Sequence, residues 1–503
     1  MRATAPAGIN KNGLRELPPL QSDEFWLWGS LMNWRRKSVE QCMALAEKKG
    51  LRRSLGPLQL TMLGIGAVIG TGIFVLTAIG AERAGPGLML SFVIAGFVCA
   101  FAALAYAEMS AMVPVSGSAY TYSYAVMGEF IAWIVGWNLI LEYAVSAAAV
   151  AVGWSGYMAG LLQSLGMPLP LSLKAGMFAV HGGGINILAA GSVLVVTCLL
   201  IIGTRASATV TSVLVVVKLC ALAAFIFIVI PKIDWAHFTP FMPFGFASHE
   251  VDGMAKGVMA AAALIFFAYV GFDAVATAAE ETRNPNRNVP IGILGSLGVC
   301  TLLYVLVAAG AIGSTPYQQL VGNTEPLAYI LRHLGFATVG NLVALAAVIA
   351  LPTVVLMMLF GQSRIFFVMS RDGLLPEVFS RVHKRFQTPH VITAVTGVIV
   401  AVIAGLFSVS EIAELSNTGT LFAFIAVSVA VVVLRQTQPN RPRPFRCPAV
   451  NVVGTLAILG CAYLFVSLPG KAQVRFWVWT LIGAIVYFLY GFKRSPLGKP
   501  VPA

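Results

Sequence analysis

Charge is scarce in this chain of 503 residues: Asp, Glu, Lys and Arg supply 11% of it, against about 25% in an ordinary soluble domain. With 58% of the residues hydrophobic, water cannot be the main solvent for most of the surface. Disulfide and zinc chemistry are equally undersupplied. The seven cysteines, Cys42, Cys99, Cys198, Cys220, Cys300, Cys447 and Cys461, are scattered with no C-x-x-C among them, so neither a disulfide framework nor a metal site is expected. The six histidines, His181, His237, His249, His333, His383 and His390, all fall outside the centres of apolar runs. That leaves no polar cluster of the kind an enzyme would need, and no cofactor is expected. A primary pump would carry G-x-x-x-x-G-K-[ST] or a phosphorylatable aspartate in a polar domain, and no loop between the apolar runs is long enough to hold one. The N-terminal stretch lacks the short apolar core and small-residue cleavage site of a secretory signal, so the first apolar run is expected to stay in the mature protein.

Long apolar runs are what the sequence has in quantity. Reading for stretches of about 20 mostly apolar residues gives twelve candidate spans, near 58–81, 87–112, 128–163, 185–203, 207–231, 256–282, 289–313, 337–369, 391–409, 412–434, 451–468 and 474–491. The expectation is an all-α membrane protein of about twelve transmembrane helices in a lipid bilayer. A net charge of +13 would suggest a nucleic-acid partner in a soluble protein, so the placement of the 33 Lys and Arg residues decides its meaning. With the N-terminus in the cytoplasm, 25 of them fall on cytoplasmic segments, seven fall outside, and one, Lys218, falls within a span. That asymmetry fits the positive-inside rule with both termini cytoplasmic and accounts for the basicity without nucleic acid. Within the tail 1–56, "EFWLWGSLMNWRRK" sets aromatics beside a basic cluster, which reads as a helix lying on the inner leaflet or as a solvated tail.

Spans one to five occupy 57–231 and spans six to ten 255–434, followed by two further spans over 451–491 and a short tail at 492–503. Each five-helix block opens on a glycine-interrupted span, "GIGAVIGTGIF" in the first and "FFAYVGFDAVATAAEE", with Gly271 and Asp273, in the second. Interrupted segments at corresponding positions in two halves point to a transporter of inverted repeats with its substrate between the breaks; a chance likeness of the two blocks is the alternative. The first motif fails the dinucleotide fingerprint G-x-G-x-x-G, because position 69 is Ile and the motif begins an apolar span. Close glycine packing of an unbroken helix stays open, since Gly66 and Gly70 are four residues apart. A break has specific chemical content. A half-helix starting near Gly70 would aim the amides of Gly70, Thr71 and Gly72 at a carboxylate, and carbonyls left unpaired near Val68 and at Phe267, Ala268 and Val270 would accept from an ammonium group. The two ends of an L-amino acid would then be held by backbone alone.

Taken with "FGQSRIFFVMSRDGLLP", these motifs resemble the amino acid/polyamine/organocation superfamily, specifically its bacterial members similar to cationic amino acid transporters, over about 55–492. The resemblance implies ten helices in two inverted five-helix repeats with two added helices, alternating access, and proton-coupled uptake of L-amino acids across a bacterial inner membrane. An exchanger or a transporter-derived amino acid sensor would keep the same binding residues. The resemblance also implies that Phe267 is an aromatic gate over the substrate. It further implies that Lys218, in "SVLVVVKLCALAAFIFIVI", takes the place of a sodium ion, its ammonium meeting carbonyls of the broken first helix.

Apart from any resemblance, a charge at the bilayer centre costs at least about 2.5 kcal/mol on insertion scales. Lys218 is therefore expected to carry protons, by releasing and regaining one as a cavity opens to either side, or to sit in a structural ion pair. Glu142, in "NLILEYAVS", could attract a cationic substrate side chain, balance Lys218, or pack against neighbouring helices. Met357, beside Met358 in "PTVVLMMLF", could wall a side-chain pocket, although methionines in a span more often only pack. Asp273 suits the positive end of a restarted helix, and Glu108 in "LAYAEMS" reads as structural.

Overall fold

Lipid offers no hydrogen bonds to an exposed backbone, so apolar runs of this length must satisfy their amides internally as helices. The computed structural model describes residues 35–37, 39–41, 55–115, 117–178, 183–202, 208–251, 253–383 and 388–498. Most of the aromatic and basic stretch of the N-terminal tail lies outside the described residues. The first half of the chain contains α1 (Pro57–Val68), α2 (Thr71–Phe74), α3 (Leu76–Ala84), α4 (Leu88–Met112), α5 (Ser118–Val126), α6 (Glu129–Ser164), α7 (Ile187–Ile202) and α8 (Ala208–Val229). After a two-stranded antiparallel hairpin, His249–Val251 with Met254–Lys256, come α9 (Val258–Ile265), α10 (Ala274–Thr277), α11 (Pro285–Ser314), α12 (Pro326–His333), α13 (Ala337–Arg371) and α14 (His390–Leu406). The last are α15 (Val409–Thr437), α16 (Val450–Ser467) and α17 (Gly470–Val486).

Among the described residues, nine helical stretches are long and apolar enough to cross a membrane; α1, α7 and α14 are apolar but shorter. The most apolar window is 89% buried within the protein in α6 and 94% buried in Val258–Thr277, against 22% in Gly470–Arg494. The first two therefore form the centre of the bundle and the last its rim. Both α13 and α15 lie along α6, α11 packs on α4 and α1, and α7 pairs with α14. Pro352 sits inside α13 and cannot donate to the carbonyl one turn earlier. The indole of Trp154 in α6 takes that acceptor instead, with Nε1 at 2.8 Å from the Val348 oxygen.

Two helices are interrupted inside this core. Helix α1 stops at Val68 and α2 starts at Thr71, with Ile69 and Gly70 extended between them. The unbroken-helix alternative is thereby removed. In the second half, α9 gives way to a 3₁₀ turn at Phe266–Tyr269, an extended Val270 and then Gly271 at φ +125°. Only glycine adopts that φ without strain, and a Cβ on Gly271 would also press within 2.9 Å of the Ala67 carbonyl carbon. The converse contact is Gly72, where a Cβ would strike the backbone of Ala268. Missing side chains at Gly72 and Gly271 thus let the two breaks touch backbone to backbone.

Ion pairs close the two ends of the bundle. At one end the fully buried Glu108 of α4 accepts from Arg435 Nε at 3.1 Å and Nη2 at 2.5 Å, from Arg443 Nε at 3.1 Å, and from the Cys447 amide at 2.7 Å. This carboxylate fastens α4 to the end of α15 and to the loop that follows it. At the other end Arg83, which ends α3, pairs with Glu414 near the start of α15, and Arg332 of α12 pairs with Glu325 at 2.5 Å.

Candidate substrate cavity

A small cavity lies where the breaks meet. Ala67, Val68, Gly70, Thr71 and Gly72 line it from the first break and Phe267 and Val270 from the second, while Ser146 and Val150 of α6 and Val354 and Met358 of α13 complete the wall. Six of the seven residues expected to bind substrate are brought together here. Ala268 does not line the cavity; its backbone faces Gly72. The first amides of α2 have no preceding turn to receive them, and the residues that carry them, Thr71 and Gly72, line the cavity. Thr71 is further tied to α6 through its hydroxyl, which donates to the Val150 carbonyl at 3.3 Å.

Of the four carbonyls expected to stand unpaired, at Val68, Phe267, Ala268 and Val270, the first three are partnered within the protein. The hydroxyl of Tyr304 in α11 lies 2.8 Å from the Val68 oxygen and 2.9 Å from the Ala268 oxygen, so that one phenol bridges both breaks. The Phe267 carbonyl accepts from the Val270 amide at 3.2 Å. Asn417 of α15 donates to the carbonyls of Ala263 and Leu264 at 2.7 and 2.9 Å. The physical reason is that buried backbone acceptors are seldom left bare. Each carbonyl keeps a second lone pair for a ligand.

Lys218 is fully buried, and its Nζ donates to the Gly66 carbonyl at 3.0 Å. In a continuous helix that carbonyl would accept from the amide of Gly70, which the break has carried out of the helix. The lysine therefore occupies a vacancy that the break itself creates. It stands behind the cavity wall and is not among its lining residues.

One other expectation needs correction. Met357 is only half-buried and does not line the cavity; its neighbour Met358 does. One residue is about 100° of helix turn, which is enough to exchange the inner face of α13 for its flank. Of the alternatives open for Glu142 the structure shows packing: the residue is buried, does not line the cavity, and presses on α15 at Gly419, where a Cβ would come within 3.2 Å of its own Cβ. Asp273 stands at the N-cap of the restarted helix, the place expected for it, and its carboxylate accepts from the preceding Gly271 amide at 3.3 Å. Ser146, Tyr304, Asn417 and the Arg83–Glu414 pair were not singled out from sequence. A tyrosine or asparagine inside an apolar run was the available signal, since a polar group there needs a partner.

Two helices broken against each other in an apolar bundle, with residues of both breaks lining a cavity between them, define an integral membrane protein of the amino acid transporter class. The chain belongs to the amino acid permease family, which it matches over residues 55–490, within the amino acid/polyamine/organocation superfamily. It is 47% identical to a branched-chain amino acid permease of Bacillus subtilis, covering 93% of this chain and 99% of that protein. It is 42% identical to a methylthioribose transporter of Bacillus subtilis, with the same 93% and 99% coverage. A vacuolar cationic amino acid transporter 2 of Arabidopsis thaliana is 37% identical over 83% of this chain and 65% of its own length.

Proposed function

We propose that this permease is a proton-coupled secondary transporter of neutral, apolar L-amino acids that works by alternating access. Its twelve helices, on this reading, form two inverted repeats over 57–231 and 255–434 with two added helices at 451–491, both termini facing the cytoplasm of a bacterial cell. The substrate carboxylate meets the amides of Gly70, Thr71 and Gly72; its ammonium meets the free lone pairs of carbonyls at the second break. Phe267 closes over it. Lys218 carries the proton, because an ammonium held by Gly66 steadies the broken helix and a neutral amine releases it.

The carrying observation is the bond from Lys218 to the Gly66 carbonyl at the first break. The wall decides between substrate classes. Val150, Val354, Met358 and Phe267 are apolar and no acidic side chain lines the cavity, which favours a branched neutral side chain over a cationic one. That choice agrees with the branched-chain permease among the relatives.

Uptake into proteoliposomes by a panel of labelled amino acids tests the reading. Leucine, isoleucine and valine should be taken up and should compete with one another, while arginine competes weakly. Equal competition by methylthioribose, or by amines without a carboxylate, would contradict a site built for the α-carboxylate.

A further inference from the structure

Ahead of α1 in sequence, Lys37, Val39 and Glu40 are docked onto the bundle. Lys37 Nζ lies 2.6 Å from Asp372 Oδ1, just past the end of α13, and 4.8 Å from the centre of the Tyr124 ring in α5. The other oxygen of Asp372 accepts from the Tyr120 hydroxyl, also in α5, at 2.9 Å. Val39 is buried, and Glu40 reaches Arg441 at 3.1 Å in the loop after α15. The chain's other end arrives at the same place. Ser495 donates to Glu129 at the start of α6, a carboxylate that also accepts from Tyr124 at 2.8 Å and Tyr487 at 3.0 Å, and Pro496 packs on Gly373 beside Asp372.

These contacts join the leader of α1 to the end of α13, the helix whose Val354 and Met358 wall the cavity. They also grip α5, which touches the restarted helix α10. At this end the structure is closed: the Leu55 amide donates to the Glu281 carbonyl at 3.1 Å, the Arg283 amide donates to the Leu55 carbonyl at 2.9 Å, and Arg364 of α13 pairs with Glu281 at 3.0 Å. An ion pair formed only in the closed arrangement biases the equilibrium toward it by its differential free energy. Lys37 and Asp372 are mostly out of water, with side chains 14% and 7% exposed, so salt screens their attraction much less than that of a surface pair.

We propose that Lys37, Val39 and Glu40 form a cytoplasmic strap that opposes opening at this end, with Lys37 held in the cleft between α5 and the end of α13 as its anchoring group. The strap rests on the alternating-access reading above and adds to it a restraint on turnover. The test uses the full chain in proteoliposomes and compares wild type with Lys37→Met and Asp372→Asn. Hydrogen exchange at the amides of Leu55 and Arg283 should rise at least fivefold in both variants. The maximal uptake rate should at least double with KM within twofold of wild type, and the Lys37→Asp/Asp372→Lys exchange should restore wild-type behaviour in part. Exchange and rate unchanged in Lys37→Met, or a rate that falls in step with a falling thermal midpoint, would overturn the strap. Failure of the wild type to take up amino acids would instead overturn the transport reading, and the exchange comparison would still decide the strap.

Discussion

Gly70 and Gly72 stand two residues apart on one cavity wall and are glycine for different reasons. A Cβ on Gly70 would only touch Val354 at 3.6 Å, whereas one on Gly72 would strike the Ala268 backbone. Gly70→Leu should therefore leave a folded protein whose cavity is filled, seen as a normal thermal midpoint with no shift on adding leucine. Gly72→Ala should lower the midpoint itself, since overpacking costs typically about 1–3 kcal/mol. Equal loss of stability in both would show that Gly70 is a packing residue as well. On the facing helix, Met358→Ala should widen the side-chain pocket and shift uptake toward larger substrates, while Met357→Ala should leave the preference unchanged. The reverse pattern in a substrate panel would return the side-chain pocket to Met357. Sequence could name the methionine pair but not choose between them, because α13 is apolar on several faces and its helical phase is not written in hydrophobicity.

At the scale of elements, interruption was legible and attachment was not. The glycines of the first motif and Gly271 mark where α1 and α9 cannot continue, and the structure breaks both there. Partners of the freed groups come from distant helices. Tyr304 lies 236 positions from Val68, and Arg83 lies 331 positions from Glu414, separations across which one chain's sequence carries no pairing signal. The role of Glu142 stayed open for a related reason: α6 is buried almost all round, so no polar face shows which neighbour the carboxylate meets. Glu108, by contrast, was legible as structural from its place near a helix end. Replacing it with Gln should leave the guanidinium groups of Arg435 and Arg443 uncompensated, one of them with a side chain only 4% exposed, and should destabilise the protein by roughly 3–5 kcal/mol. A large fall in thermal midpoint with an unchanged KM in the surviving fraction is the expected result; a changed KM with normal stability would move Glu108 into the transport machinery.

For the whole molecule, the ion pairs Arg83–Glu414 and Arg364–Glu281 close the bundle on either side of the cavity, and the proposed alternating access requires that they yield in turn. On the proposed reading, what links that alternation to a proton is Lys218, which is buried behind the first break with its Nζ on the Gly66 carbonyl. Composition and apolar runs sufficed to find the membrane bundle, and a lysine in mid-span sufficed to ask for a partner. The identity of that partner depended on how α8 crosses α1, which only the fold shows. The direct measurement is leucine accumulation in proteoliposomes under an imposed inward proton gradient, comparing wild type with Lys218→Ala and repeating the wild type with a sodium gradient alone. Wild type should concentrate leucine with the proton gradient and not with sodium, and Lys218→Ala should retain leucine binding yet lose gradient-driven accumulation. Accumulation by Lys218→Ala equal to wild type, or sodium-driven accumulation by the unmodified protein, would contradict the account.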